Sequence, residues 1–477
     1  MKKYDYDFAV IGGGPAGRRA AVQAAKLGKS VALIDDQKMI GGVSVHTGTL
    51  PSKTIRESVM SVTGWRDQHF RNRQTRLSPR EMQDMIRSRL LTTLGDEVDV
   101  LDNQLARNNV ATIKGRAKFT ARNMLEITLN ENGITSQFPI SAKKFLISTG
   151  TRPFRPDNIP FNDRNIVDSD IIASDVPLPQ SIIVVGGGVI GLEYATIFSA
   201  MDIPVTIVER RERLLEFIDH DVVDNFLNQL RERGIGLRLG RGIKEIHENE
   251  DGQACITLDD NRHLKAEMVL YTAGREGSIR DLGLENVGIE PDNRGRIAVN
   301  SRSLQTSQKH IYAAGDVIGF PSLASTSMEQ GRQAACHAFG AATENMEASF
   351  PLGIYSVPEI ASIGLSEQDA RAQGHDIEVG IARFRETSRG HILGNCDGMM
   401  KCIYDLKSHK LLGVHIVGEG ATELVHIGQA VLNLGGGIDY FVQNTFNFPT
   451  LAEAYKIAAL DAWNRLPDKT VSATKAA

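Results

Sequence analysis

The sequence predicts an α/β protein of about three domains, and three observations predict it: the chain's length, a βαβ opening that is written twice, and a change of texture after about Ser349. A chain of 477 residues with 41% apolar content exceeds what one ordinary hydrophobic core organises. The first βαβ unit begins with the apolar run Phe8-Ala9-Val10-Ile11, turns through glycines, and continues as a small-residue helix from Pro15 to Leu27 and a strand from Ser30 to Ile34. The order returns with Ile182-Ile183-Val184-Val185, glycines, a helix from Val189 to Met201 and the strand Val205-Thr206-Ile207-Val208. The first glycines of the two copies, Gly12 and Gly186, stand 174 residues apart, which assigns the copies to separate domains.

Between the copies, a charged stretch from about Ser52 to Asn109 reads as helical, and Ala111 to Ile147 reads as short alternating strands. His310 to Gly315 supplies a further strand and glycine turn. Past Ser349, strands such as Met400–Tyr404 and Leu411–Val417 alternate with helices and carry no glycine fingerprint, so this part reads as a third domain. The tail from Asp468 to Ala477 is polar and small and is expected to be disordered.

Composition excludes several classes. A net charge of −4 and a pI near 6.3 give no basic field for nucleic acid or an anionic membrane. No run reaches the roughly 18 apolar residues of a spanning helix, and the N-terminal apolar run stops at glycines too early for a signal peptide. The expected location is the cytoplasm. The four cysteines (Cys255, Cys336, Cys396, Cys402) form neither a CxxC nor a metal-ligand cluster, which argues against a disulfide scaffold or a zinc site. No metal is expected.

The glycine turns carry the chemistry. Gly12-x-Gly14-x-x-Gly17 follows a strand, opens a helix, and is answered by Asp35 at the end of the next strand. Such a turn lets the backbone approach a pyrophosphate, the helix N-terminus faces its charge, and the acid accepts hydrogen bonds from an adenosine ribose. Gly186-x-Gly188-x-x-Gly191 and Glu209 repeat the pattern. Two complete copies imply two dinucleotides, and the natural pairing is a flavin, FAD, with a nicotinamide nucleotide, NAD or NADP.

On these motifs, with Ser148-Thr149-Gly150, Thr272-Ala273-Gly274-Arg275 and Ile311-Tyr312-Ala313-Ala314-Gly315-Asp316, the chain resembles the pyridine nucleotide-disulfide reductase superfamily over essentially its whole length. The resemblance implies an FAD-binding domain from 1 to 152 and again from 276 to 347, an NAD(P)-binding domain from 153 to 275, and a dimerisation domain from 348 to 467 that makes at least a homodimer. It places Gly42, Gly150 and Gly274 among the nucleotide contacts and Asp316 on the flavin's ribityl chain.

The departure from that pattern lies at the redox centre. Disulfide reductases of the superfamily carry GG-x-C-x4-C-x-PSK, and this chain has Ser44 and Thr49 at the two cysteine positions, between Gly41-Gly42 and Pro51-Ser52-Lys53. A hydroxyl forms no disulfide and no exchanging thiolate, so dithiol chemistry is excluded there. The C-terminal H-P-x-x-x-E segment reads Phe448-Pro449-Thr450-Leu451-Ala452-Glu453, so the histidine base is missing as well, and Glu453 reads as structural. What the resemblance retains is Lys53 and Glu193, implied to pair beside the flavin and favour its reduced form.

Within the superfamily the segments His46 to Lys53, Asp316 to Ser325, Gly353 to Ile360 and Thr445 to Tyr455 resemble soluble, Si-specific pyridine nucleotide transhydrogenases. That resemblance implies ping-pong hydride transfer between NADPH and NAD+ through FAD, without a redox-active disulfide. A diaphorase or quinone reductase on the same scaffold stays open, and a non-enzymatic nucleotide sensor is disfavoured by the retained Lys53 and Glu193. Glu209 suits an unmodified ribose, whereas Arg210 and Arg211 either clamp a 2′-phosphate or form a solvated charge run with Glu212 and Arg213. Both nucleotides are expected to bind. His426, flanked by Leu424, Val425 and Ile427, reads as a core or interface histidine.

Overall fold

A computed structural model describes residues 4–36, 40–63, 78–131, 134–173, 178–342, 349–394 and 396–466. The tail expected to be disordered, 468–477, lies outside the described residues.

The apolar runs become parallel strands because parallel strands, covered by helices on both faces, need no polar side. Strand Tyr6–Ile11 is buried from Phe8 onward and lies between Val31–Asp35 and the long strand Ile134–Ile147, parallel to both. That long strand does two jobs. Its C-terminal half joins the parallel sheet, and its N-terminal half pairs antiparallel with Met124–Glu131. The sheet runs Ala111–Lys114, Val31–Asp35, Tyr6–Ile11, Ile134–Ile147, Met124–Glu131, Arg116–Ala121, and Ile311–Ala313 adds to the long strand from far along the chain.

A second sheet has five parallel strands in the order Gly236–Leu239, Val205–Glu209, Ile182–Val185, Met268–Tyr271, Ile166–Asp168, flanked by a three-stranded antiparallel sheet. Two crossings, Thr151–Pro153 and Arg275–Gly277, pair with each other where the chain passes into and out of this unit. The C-terminal sheet is antiparallel, ordered Leu352–Ile354, Ile360–Gly364, Leu411–Val417, Met399–Asp405, Ile377–Arg383. Its core includes Val425, Tyr455, Ala458 and Ala462 from the helices Ala421–Asn433 and Glu453–Trp463.

The helical stretch resolves into Thr49–Val62 and a 29-residue helix, Pro79–Arg107, with 64–77 outside the described residues. The long helix starts sharply because Ser78 and Glu81 cap each other's backbone N–H, with proline at its first turn. Among the described residues no helix is long and apolar enough to cross a membrane, and no group of three or more His, Cys, Asp and Glu stands ready to hold a metal.

Candidate active site

The first glycine turn is fixed by close backbone approaches. Gly12 has φ +102°, and a Cβ on it would lie 2.4 Å from the Ser148 carbonyl oxygen; one on Gly17 would lie 1.9 Å from the Gly12 carbonyl oxygen. Glycine is therefore required at both positions. The Ser148 hydroxyl secures the turn by donating to the carbonyls of Ile11 and Gly12, each at 3.0 Å. The helix Pro15–Lys26 then begins at Gly14 with no side-chain cap, and a Cβ on Gly14 would meet nothing within 4 Å. Uncapped N–H groups facing open space are what a pyrophosphate needs. Asp35 accepts a hydrogen bond from the Gly13 N–H.

These residues border a cleft of about 580 Å³, a size suited to a large cofactor. Gly12, Gly14, Asp35, Gly42, Ser44, Thr49, Gly150 and Asp316 all line it, together with Thr149, whose buried hydroxyl has no partner. Gly17 supports the cleft from behind. The residues present fit a flavin dinucleotide.

At the far wall, Asp316 opens a short 3-10 turn and takes long hydrogen bonds from the hydroxyls of Ser327 (3.4 Å) and Thr151 (3.5 Å). Burial pushes its carboxyl above the usual carboxylate range, opposed by the Arg275 guanidinium. Burial likewise raises Asp170, which pairs with Arg275 at 3.3 Å and lines the cleft. Sequence reasoning missed Asp170, which carries no motif of its own. It reaches the cleft from the helix Ser169–Ile172.

The second turn repeats the first closely. Gly186 has φ +107°, a Cβ on Gly191 would lie 2.0 Å from the Gly186 carbonyl oxygen, and Thr272 takes the part of Ser148 by donating to Val185 (2.8 Å) and Gly186 (3.3 Å). Gly188 caps nothing with a side chain and faces open space. Gly274 sits at the outgoing crossing, where its carbonyl accepts the Phe154 N–H. Glu209, nearly buried, accepts the Gly187 N–H at 2.6 Å. It also accepts the Arg211 N–H at 2.9 Å and that residue's Nε and Nη2 at 3.1 and 3.3 Å. Burial alone would raise this carboxyl, and the hydrogen bonds from Arg211 and Gly187 hold it below its ordinary value. Arg211 is half-exposed, and Arg210 is exposed.

Lys53 and Glu193 meet across the two units. The Lys53 Nζ lies 2.8 and 2.7 Å from the Glu193 carboxylate oxygens, and the carboxylate is only 5% exposed. The Ser52 hydroxyl (3.3 Å) and the Tyr355 N–H (3.0 Å) complete its coordination, and Lys53 stands 4.9 Å from the centroid of the Tyr355 ring. Tyr355 brings the C-terminal unit into the junction. Its part was not legible, because it acts through its backbone and a ring face.

The degenerate redox segment folds locally. Val43–His46 makes one helical turn, and the Ser44 hydroxyl donates to the Gly41 carbonyl at 2.9 Å. All four cysteines are free thiols and none lines the cleft; burial pushes Cys402 up to about 12. Phe448 is exposed, and one oxygen of Glu453 is buried without a partner. His426 is not a core histidine: of the core and interface alternatives, the structure removes the first. It is exposed on the helix Ala421–Asn433 and bonds Gln429 at 2.8 Å, because the helix turns Val425 and Gly428 inward and leaves position 426 outside.

Comparison with known proteins bears on the family and the fold. The pyridine nucleotide-disulphide oxidoreductase profile matches residues 6–331, and the dimerisation-domain profile of the same name matches residues 350–459. A soluble pyridine nucleotide transhydrogenase of Mycobacterium bovis (strain BCG / Pasteur 1173P2) is 44% identical, covering 97% of this chain and 98% of its own length. One from Shigella flexneri is 38% identical, covering 97% and 99%. Among solved structures, the HOCl-induced flavoprotein disulfide reductase of Escherichia coli superposes with a TM-score of 0.85 at 25% identity, covering 95% of this chain and 99% of its own. LpdA from Mycobacterium tuberculosis gives 0.85 at 26%, covering 95% and 99%.

Proposed function

The chain belongs to the pyridine nucleotide-disulphide oxidoreductase family, and from that premise we propose that it is an FAD-dependent, Si-specific transhydrogenase moving hydride between NADPH and NAD+ without a redox-active disulfide. One observation carries the reading: both glycine turns and the Lys53–Glu193 pair are intact, while Ser44 and Thr49 occupy the positions of the exchanging thiols. The names of the relatives at 38 and 44% identity support it.

The first turn, with Asp35, Gly42, Gly150 and Asp316, would hold FAD, and the second, with Glu209, Arg210, Arg211 and Gly274, the nicotinamide nucleotide. When bound, the flavin supplies a two-electron relay that takes hydride from one nucleotide and returns it to another. The protein's own work is electrostatic. Lys53 holds a positive charge at the junction of the two units, where it favours a reduced, more negative flavin, and Glu193 fixes the ammonium in place through two short hydrogen bonds. Since both nucleotides would use the one second turn, one would leave before the other enters, which is a ping-pong order. The matched dimerisation profile supports a homodimer.

Glu209 and Arg211 support acceptance of both nucleotides. With Arg211 paired to it, Glu209 presents a neutralised acid to the ribose; released, the guanidinium is a planar donor suited to a 2′-phosphate. Anaerobic stopped-flow mixing of the FAD-loaded protein with NADH and, separately, NADPH tests the reading. Bleaching of the flavin by both is expected, and failure with either would overturn it.

A further inference from the structure

We propose that Tyr355 is a positioning residue for the flavin chemistry, its ring covering the Lys53 ammonium so that the charge stays fixed and poorly hydrated at the junction. The proposal rests on the reading given above, in which that charge favours a reduced flavin. It adds a residue of the C-terminal unit to the two that make the ion pair.

Residues 355–357 follow the strand Leu352–Ile354, and both helices that carry the pair grip them. The first contacts are at Tyr355, where Glu193 accepts the backbone N–H at 3.0 Å and the Lys53 Nζ stands over the ring, 4.9 Å from its centroid. Three residues beyond Lys53, on the same face of its helix, the Arg56 Nε donates to the Ser356 carbonyl at 3.1 Å. Three residues beyond Glu193, the Thr196 hydroxyl accepts the Val357 N–H at 2.9 Å. Arg56 and Ser356 are 1% and 0% exposed, so this grip is closed to water. The place of the ring is therefore set by three successive backbone groups held from two other units. At its far end the phenol hydroxyl bonds Thr422.

The ion pair alone leaves Lys53 partly open, its side chain 23% exposed against 5% for Glu193. A charge in contact with water acts weakly on its surroundings, because the solvent screens it. An aromatic face attracts an ammonium through its quadrupole and displaces water from it, whereas a second carboxylate would cancel the charge. Burial holds the phenol of Tyr355 above its ordinary value, so the ring brings no negative charge of its own. The C-terminal unit thereby takes part in setting how readily the flavin is reduced.

The test measures the ratio of reduced to oxidised flavin in the FAD-loaded, full-length protein at equilibrium with a reference dye, so no nucleotide acceptor enters the reading. Tyr355→Leu should shift that ratio toward the oxidised form by about five-fold, the scale of one cation–π contact. Tyr355→Phe, which keeps the ring face, should return it to within about two-fold of the unaltered protein. Tyr355→Met replaces the Leu variant should that one fail to fold. An equal shift in the Phe variant would overturn the proposal by assigning the effect to the hydroxyl. An unmoved ratio in the folded Leu or Met variant, beside normal bleaching of the unaltered flavin by NADH and NADPH, would overturn the proposal alone. Failure of that bleaching would instead overturn the reading beneath it.

Discussion

In the first glycine unit, Asp35 accepts the Gly13 N–H and stands at the edge of a cleft of about 580 Å³. In the second, Glu209 takes the matching N–H from Gly187 and is also held by both the backbone and the guanidinium of Arg211. The backbone devices agree down to the hydroxyl that braces each turn, Ser148 in one and Thr272 in the other. On the proposed reading, the turn geometry decides only that a dinucleotide is held, and the charge beside the acid decides which dinucleotide is accepted.

The largest expected effect comes from cutting the bridge between the units. Lys53→Met leaves the Glu193 carboxylate buried and unpaired, a loss expected to destabilise the fold by about 3 kcal/mol. Thermal denaturation should register this as a lower melting temperature, and nucleotide-to-nucleotide transfer should slow at least ~10-fold as the fixed charge is removed. A variant with unaltered rate would detach Lys53 from the chemistry and leave it a structural tie.

The next effect sharpens the difference between the two acids. Arg211→Ala should raise the KM for NADPH by roughly ten-fold, the scale of one charge-assisted hydrogen bond, and leave that for NADH within about two-fold. Glu209→Gln should weaken NADH more than NADPH. Parallel losses for both nucleotides in either variant would show that the pair serves the fold alone.

A smaller effect concerns pH. Hydrogen bonds hold Glu209 below its ordinary value of 4.5, so the ion pair with Arg211 is complete above that value and is lost only as pH falls through the depressed one. The preference ratio, NADPH over NADH in kcat/KM, should accordingly stay flat between about pH 7 and 9, where the 2′-phosphate is also fully charged. A steep change in that window would assign the preference to another group.

Much of this frame was legible in the sequence because parallel strands buried on both faces must be written as unbroken apolar runs. Phe8 to Ile11 and Ile182 to Val185 show this, and the structure makes strands of both. Lys53 and Glu193 were legible through motifs that fix their places, although 140 residues separate them. What stayed hidden depends on side-chain direction and on groups without a residue signature. The choice of Arg211 rather than Arg210 for Glu209 is one case, and the Tyr355 N–H is another. For His426 the apolar neighbours suggested core or interface, and helical spacing, which turns the histidine outward, removes the core.

The smallest effect should come from the thiols. Alkylating Cys255 and Cys396, the two cysteines that are not buried, should change the transfer rate by less than about two-fold, since no thiol lines the cleft. A large loss, tracked by mass spectrometry to one cysteine, would restore a thiol to the mechanism.

The most direct measurement is steady-state hydride transfer from NADPH to thio-NAD+ by the purified, FAD-loaded protein, run beside oxidation of NADPH by a soluble quinone. Fast transfer to thio-NAD+ with double-reciprocal lines that stay parallel is the predicted result. Slow transfer beside rapid quinone reduction would contradict the account and make the second unit the entry point for a reductant whose electrons leave to a different acceptor.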